Sequence, residues 1–441
     1  MLCRRVEAAR AALTVSRLAR TPPVLSSLVS SRPFSSTSTR RALWGWLPDP
    51  SNEPLAGTGI GSAGPPWLFM LEVLIGLPTA LWVYKCIMLV LFQRKVIYMP
   101  WLPPGSRDEP LSAVTATGEM GDMRVKEVRI ESAEPTKWLR GKVEVRTIEV
   151  GWTEEENAMA TKRPHVVILY MQGNAGTPLN RLTLFRTLLH PPRTSSYSSS
   201  TPQTPLRPFP RLTLLAPAPR SYWLSTRATP TERGILADYR ASLAYLHANY
   251  GPDARYVLYG HSLSGAAAVG LLKQLQQGPF AVQSHSNDSA TPSSEPPISG
   301  LILENPLPSI PFMVRALYPQ RWLPYHWLGP LAFDRWDALG DLERLAEVPK
   351  ESSGEMRSLW IRSGKDEVIP LGTEEGVKAG ELAGKDGVRR MFDAWVKATE
   401  RDDGEARSKW VDVPGALHDL AYNERRWRDE LRAFLDDVGR T

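Results

Sequence analysis

The chain has 441 residues, 42% of them hydrophobic and 23% charged, the composition of a globular protein with room for one large domain and extra segments. Its formal charge of +6 sits mostly at the start, where residues 1–34 hold Arg4, Arg5, Arg10, Arg17, Arg20 and Arg32 against the single acid Glu7. The rest is close to neutral and carries no electrostatic footprint for nucleic acid, and two cysteines, Cys3 and Cys86, exclude a disulfide framework in the body.

Residues 1–41 are rich in arginine and serine and nearly free of acids, as mitochondrial presequences are, and they lack the compact apolar core of a secretory signal. The run Arg32-Pro33-Phe34-Ser35 resembles a matrix processing site. The expectation is a single-pass mitochondrial membrane protein. The alternative is a disordered basic tail on a protein of the endoplasmic reticulum or plasma membrane. Residues 42–66 read as a Pro/Gly/Ser linker.

Residues 67–92 are expected to form one transmembrane helix. Twenty mostly apolar residues from Val73 to Phe92 match the thickness of the hydrocarbon core and carry Lys85 as their only charge. Lys85 is expected to snorkel outward, with Trp67, Tyr98 and Trp101 as interfacial anchors. The bilayer is thus an expected partner. Arg40 and Arg41 balance Arg94 and Lys95, so charge does not orient the helix.

From about residue 124 the pattern alternates between strands and helices. Two antiparallel strands are predicted at 125–130 and 142–150. Buried runs follow at 165–170, 211–215, 256–259, 301–303, 359–361 and 409–413, with helices at 232–249, 263–276 and 424–438. That alternation indicates βαβ units and a mostly parallel sheet. Segments 191–210 and 283–297 are rich in Ser, Thr and Pro and read as surface insertions; charged residues 385–408 read as a helical, solvated one. A sequon stands at Asn287.

The most informative stretch is Gly260-His261-Ser262-Leu263-Ser264-Gly265, between a buried strand and an Ala/Leu-rich helix. A serine on such a sharp turn exposes its hydroxyl, and its neighbours two before and two after must be small. Ser264 stands where a glycine is usual. A hydrolase of this design then needs an acid and a histidine later in the chain. Asp366 follows the 359–361 run in Ser363-Gly364-Lys365-Asp366, and His418 follows the 409–413 run in Pro414-Gly415-Ala416-Leu417-His418. Ser262 is the candidate nucleophile, His418 the base and Asp366 the group that fixes its tautomer; His326 is a rival base. In Gln172-Gly173-Asn174-Ala175-Gly176 the N–H of Asn174, with the N–H of Leu263, is the expected oxyanion hole.

These motifs resemble the membrane-tethered α/β-hydrolases related to the fungal bud-emergence hydrolase and the mammalian hydrolase-domain proteins that remove palmitate from proteins. Phe92-Gln93-Arg94-Lys95-Val96-Ile97-Tyr98-Met99-Pro100 and Glu304-Asn305-Pro306 join the stretches above, so the resemblance covers about residues 90–440. It implies an α/β-hydrolase domain over 93–441: a mostly parallel eight-stranded sheet, helices on both faces and a small cap at about 306–340 after the sixth strand. It implies ester or thioester hydrolysis of acylated proteins or lipid-like substrates, with no cofactor and no metal. Gln172 replaces the family's histidine, and the usual Tyr-Arg-Gly-Tyr-Gly loop appears as Ala218-Pro219-Arg220-Ser221-Tyr222. The aromatic cap is expected to line an acyl-chain slot or to pack on the core. An inactive membrane scaffold and a serine peptidase remain open alternatives.

Overall fold

The computed structural model describes residues 66–115, 123–132, 142–151, 164–189, 211–277, 296–347, 356–370, 386–399 and 407–440. The presequence, almost all of the linker, most of both low-complexity insertions and the sequon lie outside them.

The first element is a long helix, α1 (Pro66–Leu91). It is long and apolar enough to cross a membrane, and it fits a single transmembrane helix. Pro78 lies within it, and the Thr79 hydroxyl donates to the Ile75 carbonyl one turn back.

Eight strands follow: β1 (Arg124–Ser132), β2 (Val143–Gly151), β3 (Val166–Met171), β4 (Leu212–Pro217), β5 (Arg255–His261), β6 (Ile298–Glu304), β7 (Arg357–Ser363) and β8 (Ser408–Val413). They form one sheet in the order β1-β2-β4-β3-β5-β6-β7-β8. The β1–β2 and β2–β4 pairs are antiparallel and every later pair is parallel. Burial follows position. Strand β3 is buried at every residue because both its faces are covered, whereas edge strand β1 alternates towards its end. The helices around the sheet are α2 (Leu182–Leu189), α3 (Glu232–Tyr250), α4 (Leu263–Leu275), α6 (Ala338–Ala346), α7 (Gly387–Thr399) and α8 (Arg425–Val438), while α5 (Ile310–Leu317) belongs to the cap. Trp427, Leu431, Phe434, Leu435 and Val438 recur at helical spacing along the buried face of α8. The sheet order, and the small cap between β6 and α6, are those of an α/β-hydrolase.

Two expectations are corrected. Residues 385–408 contain the expected helix, α7, but its buried face shows that they are not wholly a solvated insertion. Its Trp395 is fully buried against Trp360 and its indole N–H donates to Ser408 Oγ, so a highly charged helix still contributes an aromatic face to the core. Tyr98 is not an interfacial anchor: it is fully buried and its hydroxyl accepts from Trp336 Nε1 at 2.9 Å. The Lys85 Nζ lies over the Tyr325 ring, 4.7 Å from the centroid.

Candidate active site

The turn after β5 is built by close backbone approach. Ser262 takes φ 55° and ψ −122°, a conformation that costs an L-residue free energy and persists because its surroundings impose it. Its N–H donates to the Glu304 carbonyl at 3.0 Å, and its carbonyl accepts from Leu307 at 2.9 Å. A Cβ on Gly260 would stand 2.4 Å from the Ser264 carbonyl oxygen, and one on Gly265 would stand 2.4 Å from Pro306 Cβ. Ser264 is accommodated because its hydroxyl pairs with the buried Tyr239 hydroxyl at 3.0 Å. The position that admits no side chain is therefore Gly265, one residue later than the usual motif places it.

At the ends of β7 and β8 the structure brings Asp366 and His418 together. Nδ1 of His418 lies 2.9 Å from Oδ2 of Asp366, and both side chains are buried. The other carboxylate oxygen accepts the N–H groups of Val368 (2.9 Å) and Ile369 (2.8 Å). Arg362, a fully buried arginine on β7, donates from Nη1 to Asp366 Oδ2 at 2.8 Å and from Nη2 to the Ile369 carbonyl at 3.0 Å. Burial pushes the Asp366 carboxyl up. The His418 hydrogen bond and charge, the Ile369 N–H and Arg362 outweigh it and hold the group below the usual carboxylate range.

The histidine loop is also pinned. Asn305, at φ 44°, accepts from Ser363 N–H and donates to both Ser363 Oγ and the His418 carbonyl, while Glu367 accepts the His418 N–H at 3.1 Å. His261 Nε2 also reaches the His418 carbonyl at 3.3 Å, and the two imidazoles lie 5.2 Å apart. Burial, helped by Arg181 and His418, lowers the pKa of His261 to about 3, so the ring beside Ser262 is neutral. The buried Nε2 of His418 has no hydrogen-bond partner, so the serine–histidine bond itself is not made. His326 stays within the cap, where Nδ1 donates to the Tyr318 carbonyl at 2.7 Å.

The expected oxyanion loop follows β3. Asn174 is fixed through its carbonyl, which accepts from Met99 N–H at 2.9 Å and from the Tyr222 hydroxyl at 2.8 Å. Gly173 leaves room beside the nucleophile, since a Cβ there would lie 3.3 Å from His261 Nδ1 and 3.4 Å from Ser262 Cβ. Gln172 donates to the Gly176 carbonyl across the loop at 3.4 Å. Tyr222 is held by its own loop, where the Arg220 guanidinium makes a buried fork onto Asp238 of α3 with contacts of 3.0 and 2.8 Å, and the Arg220 backbone N–H donates to the same carboxylate at 2.8 Å. A Cβ on Gly234 would come within 2.5 Å of that guanidinium. Nothing in the sequence alone assigns roles to Arg362, Asn305, Tyr222 and Arg220. The one local signal for Arg362 is a charge directly after the apolar run Leu359–Ile361.

Among the described residues, His261, His418 and Asp419 place ligand atoms within 4.8 Å of one another. Two of the three are engaged otherwise, His418 Nδ1 by Asp366 and the Asp419 carboxylate by Arg181 at 2.7 Å. A guanidinium at the carboxylate opposes a cation there.

No family model matches the sequence. Protein bem46 of Schizosaccharomyces pombe is 22% identical over 312 residues, spanning 70% of this chain and 81% of that protein. Among solved structures, a bacterial heroin esterase aligns with a TM-score of 0.45 at 13% identity, over 78% of this chain and 94% of its own. An alpha-beta hydrolase from Vibrio vulnificus aligns with a TM-score of 0.46 at 14% identity, over 78% and 93%. The chain is thus similar to the fungal bud-emergence protein over 312 residues.

Proposed function

We propose that the chain is a serine hydrolase that cleaves ester or thioester bonds through an acyl-enzyme. One observation carries this reading: a serine at φ 55° on a strand-to-helix turn, with a buried Asp366–His418 pair of 2.9 Å beside it. In this scheme Ser262 Oγ attacks the acyl carbon as His418 Nε2 takes its proton. The N–H groups of Asn174 and Leu263 receive the developing oxyanion, and removing one such donor costs about 2.7–4 kcal/mol of transition-state stabilisation. Collapse breaks the bond to the leaving oxygen or sulfur, which takes the proton from the imidazolium. Water, deprotonated by the same nitrogen, then releases the acid and restores Ser262. Asp366 holds Nδ1–H and offsets the charge that appears on the ring.

The substrates in this reading are acylated proteins or lipid-like esters. The second reading, an inactive hydrolase-fold scaffold, draws on the unpartnered His418 Nε2. Hydrogen bonds of this kind often tighten only when substrate binds, so the open geometry weighs little against catalysis. Fluorophosphonate labelling of the full chain decides between them. Labelling that vanishes in Ser262→Ala supports the hydrolase; a folded, unlabelled wild type supports the scaffold. Release of a free amine from a peptide rather than an alcohol or thiol from an acyl ester would indicate a peptidase.

A mitochondrial membrane location is proposed from the arginine-rich leader alone. Protease protection of a C-terminally tagged chain in isolated mitochondria tests it, and residence in the endoplasmic reticulum or plasma membrane would refute it.

A further inference from the structure

The cap does not stand clear of the transmembrane helix; it runs beside it. Trp322 packs on Trp82 with ring centroids 6.0 Å apart, and Tyr325 receives the Lys85 ammonium. Nearer the end of the helix, the Phe333 N–H donates to Gln93 Oε1 at 2.7 Å, and Asp334 pairs with Arg94 at 2.9 Å. Cys86, Met88, Leu89 and Val90 are half-buried along the same stretch, whereas every side chain from Trp67 to Leu81 is exposed.

These contacts conflict with a cap in water. At 1.5 Å per residue the free part of α1, Trp67–Leu81, is about 22 Å long, short of the ~30 Å hydrocarbon core. For α1 to span, the bilayer must also cover some of the turns on which the cap packs. With Arg94 and Lys95 at headgroup level, Trp82 lies about 14 Å along the helix from Leu91. The outward surface of the cap suits that depth. Trp322, Trp327 and Phe333 are 70%, 61% and 59% exposed, and Leu331 is exposed between them. Between Tyr318 and Phe333 the only formal charge is Arg321, whose long stem reaches outward. Tryptophans of this kind favour the boundary between headgroups and acyl chains.

We propose that this face of the cap, around Trp322, Trp327, Leu331 and Phe333, is embedded in the leaflet through which α1 emerges, and that the site draws its acyl substrates from that leaflet. The post-helix segment joins the two regions directly. Met99 N–H donates to the Asn174 carbonyl and Gly176 N–H donates to the Leu102 carbonyl, so the chain leaving the membrane lies on the oxyanion loop. The substrate half of the proposal rests on the hydrolase reading; the insertion half does not.

The test uses the full chain in phosphatidylcholine vesicles, with Cys3→Ser and Cys86→Ala as background. An environment-sensitive fluorophore is attached through Trp327→Cys, Leu331→Cys, Leu74→Cys on α1, or Arg425→Cys on α8. Expected is quenching by doxyl-labelled lipid at 327 and 331 at least threefold stronger than at 425, approaching that at 74. Strong quenching at 74, with no more at 327 and 331 than at 425, overturns insertion of the cap. No quenching at 74 overturns it too, because the helix then does not span. A second arm joins Trp327→Glu with Leu331→Glu. Turnover of a short soluble ester is expected to hold, reporting an intact fold, while turnover of a long-chain acyl ester dissolved in the vesicles falls at least fivefold. Equal effects on both substrates overturn delivery from the leaflet. A wild type inert to every ester refutes the hydrolase reading and leaves the depth measurement standing.

Discussion

Arg362 and His418 converge on one carboxylate oxygen: Nη1 of the arginine is 2.8 Å and Nδ1 of the histidine 2.9 Å from Oδ2 of Asp366. The carboxylate that would stabilise an imidazolium is thus already partly neutralised by a permanent cation. Arg362 is a positioning residue: it fixes Asp366 and offsets part of its negative charge.

Arg362→Met removes the guanidinium and leaves the buried carboxylate short of a partner. Breaking a buried pair in this way costs about 3–5 kcal/mol, so the denaturant midpoint falls. Turnover falls as Asp366 loses its anchor. Full turnover in a folded Arg362→Met variant would show that Asp366 needs no such anchor.

Acidification destabilises the fold from near neutrality downward. The folded-state pKa of His261 lies near 3 and that of His165 near 4, both through burial, against about 6.5 in the unfolded chain. Below pH 6.5 the unfolded chain therefore binds protons that the native one refuses, and stability drops with falling pH at up to about 1.4 kcal/mol per unit for each histidine. The depressed carboxyls act later. Asp419, held near 2 against its own burial by His261 and Arg181, contributes stability that is fully present above about pH 4 and lost as the pH falls through 2. Denaturant midpoints at pH 7.5 and 5 check the histidine part: the gap should narrow in His261→Gln.

Ser262→Gly should abolish turnover and raise stability together. Glycine adopts φ 55° freely, whereas left-handed backbone costs other residues roughly 1–2 kcal/mol. Loss of a catalytic serine lowers kcat by around 10⁶-fold in enzymes of this chemistry. Thermal melts beside ester turnover measure both, and an unchanged or lower melting temperature would show that the turn is not strained.

Gly265→Ala and Ser264→Gly should differ sharply. The alanine Cβ would meet Pro306 at 2.4 Å, so the elbow shifts and labelling of Ser262 is lost. The glycine removes the hydrogen bond to Tyr239, which costs about 1 kcal/mol, and leaves the elbow in place. Fluorophosphonate labelling with a melt on each variant separates them.

Local chemistry made much of this legible in advance. A strand, a small-residue turn and a helix announce themselves around Ser262, and Asp366 and His418 each stand just past a predicted strand end. The antiparallel start and parallel remainder of the sheet follow from hydrophobic runs of strand length. What stayed hidden depends on residues far apart in the chain. Asn305 locks the histidine loop across 113 positions, and Tyr222 holds the oxyanion loop across 48. Tyr98 was misplaced for the same reason: its partner, Trp336, lies more than 200 residues away and no periodicity points to it. Residues 385–408 misled because charge outnumbers the few aromatics of α7 that reach the core.

The short connection from Leu91 to Met99 leaves the oxyanion loop almost no slack relative to the bilayer. On the proposed function, encounter with a membrane-borne ester then becomes a two-dimensional search by lateral diffusion. Flux would scale with copies of the enzyme per unit of membrane area, and expanding the membrane at constant protein would slow the reaction as dilution does in bulk.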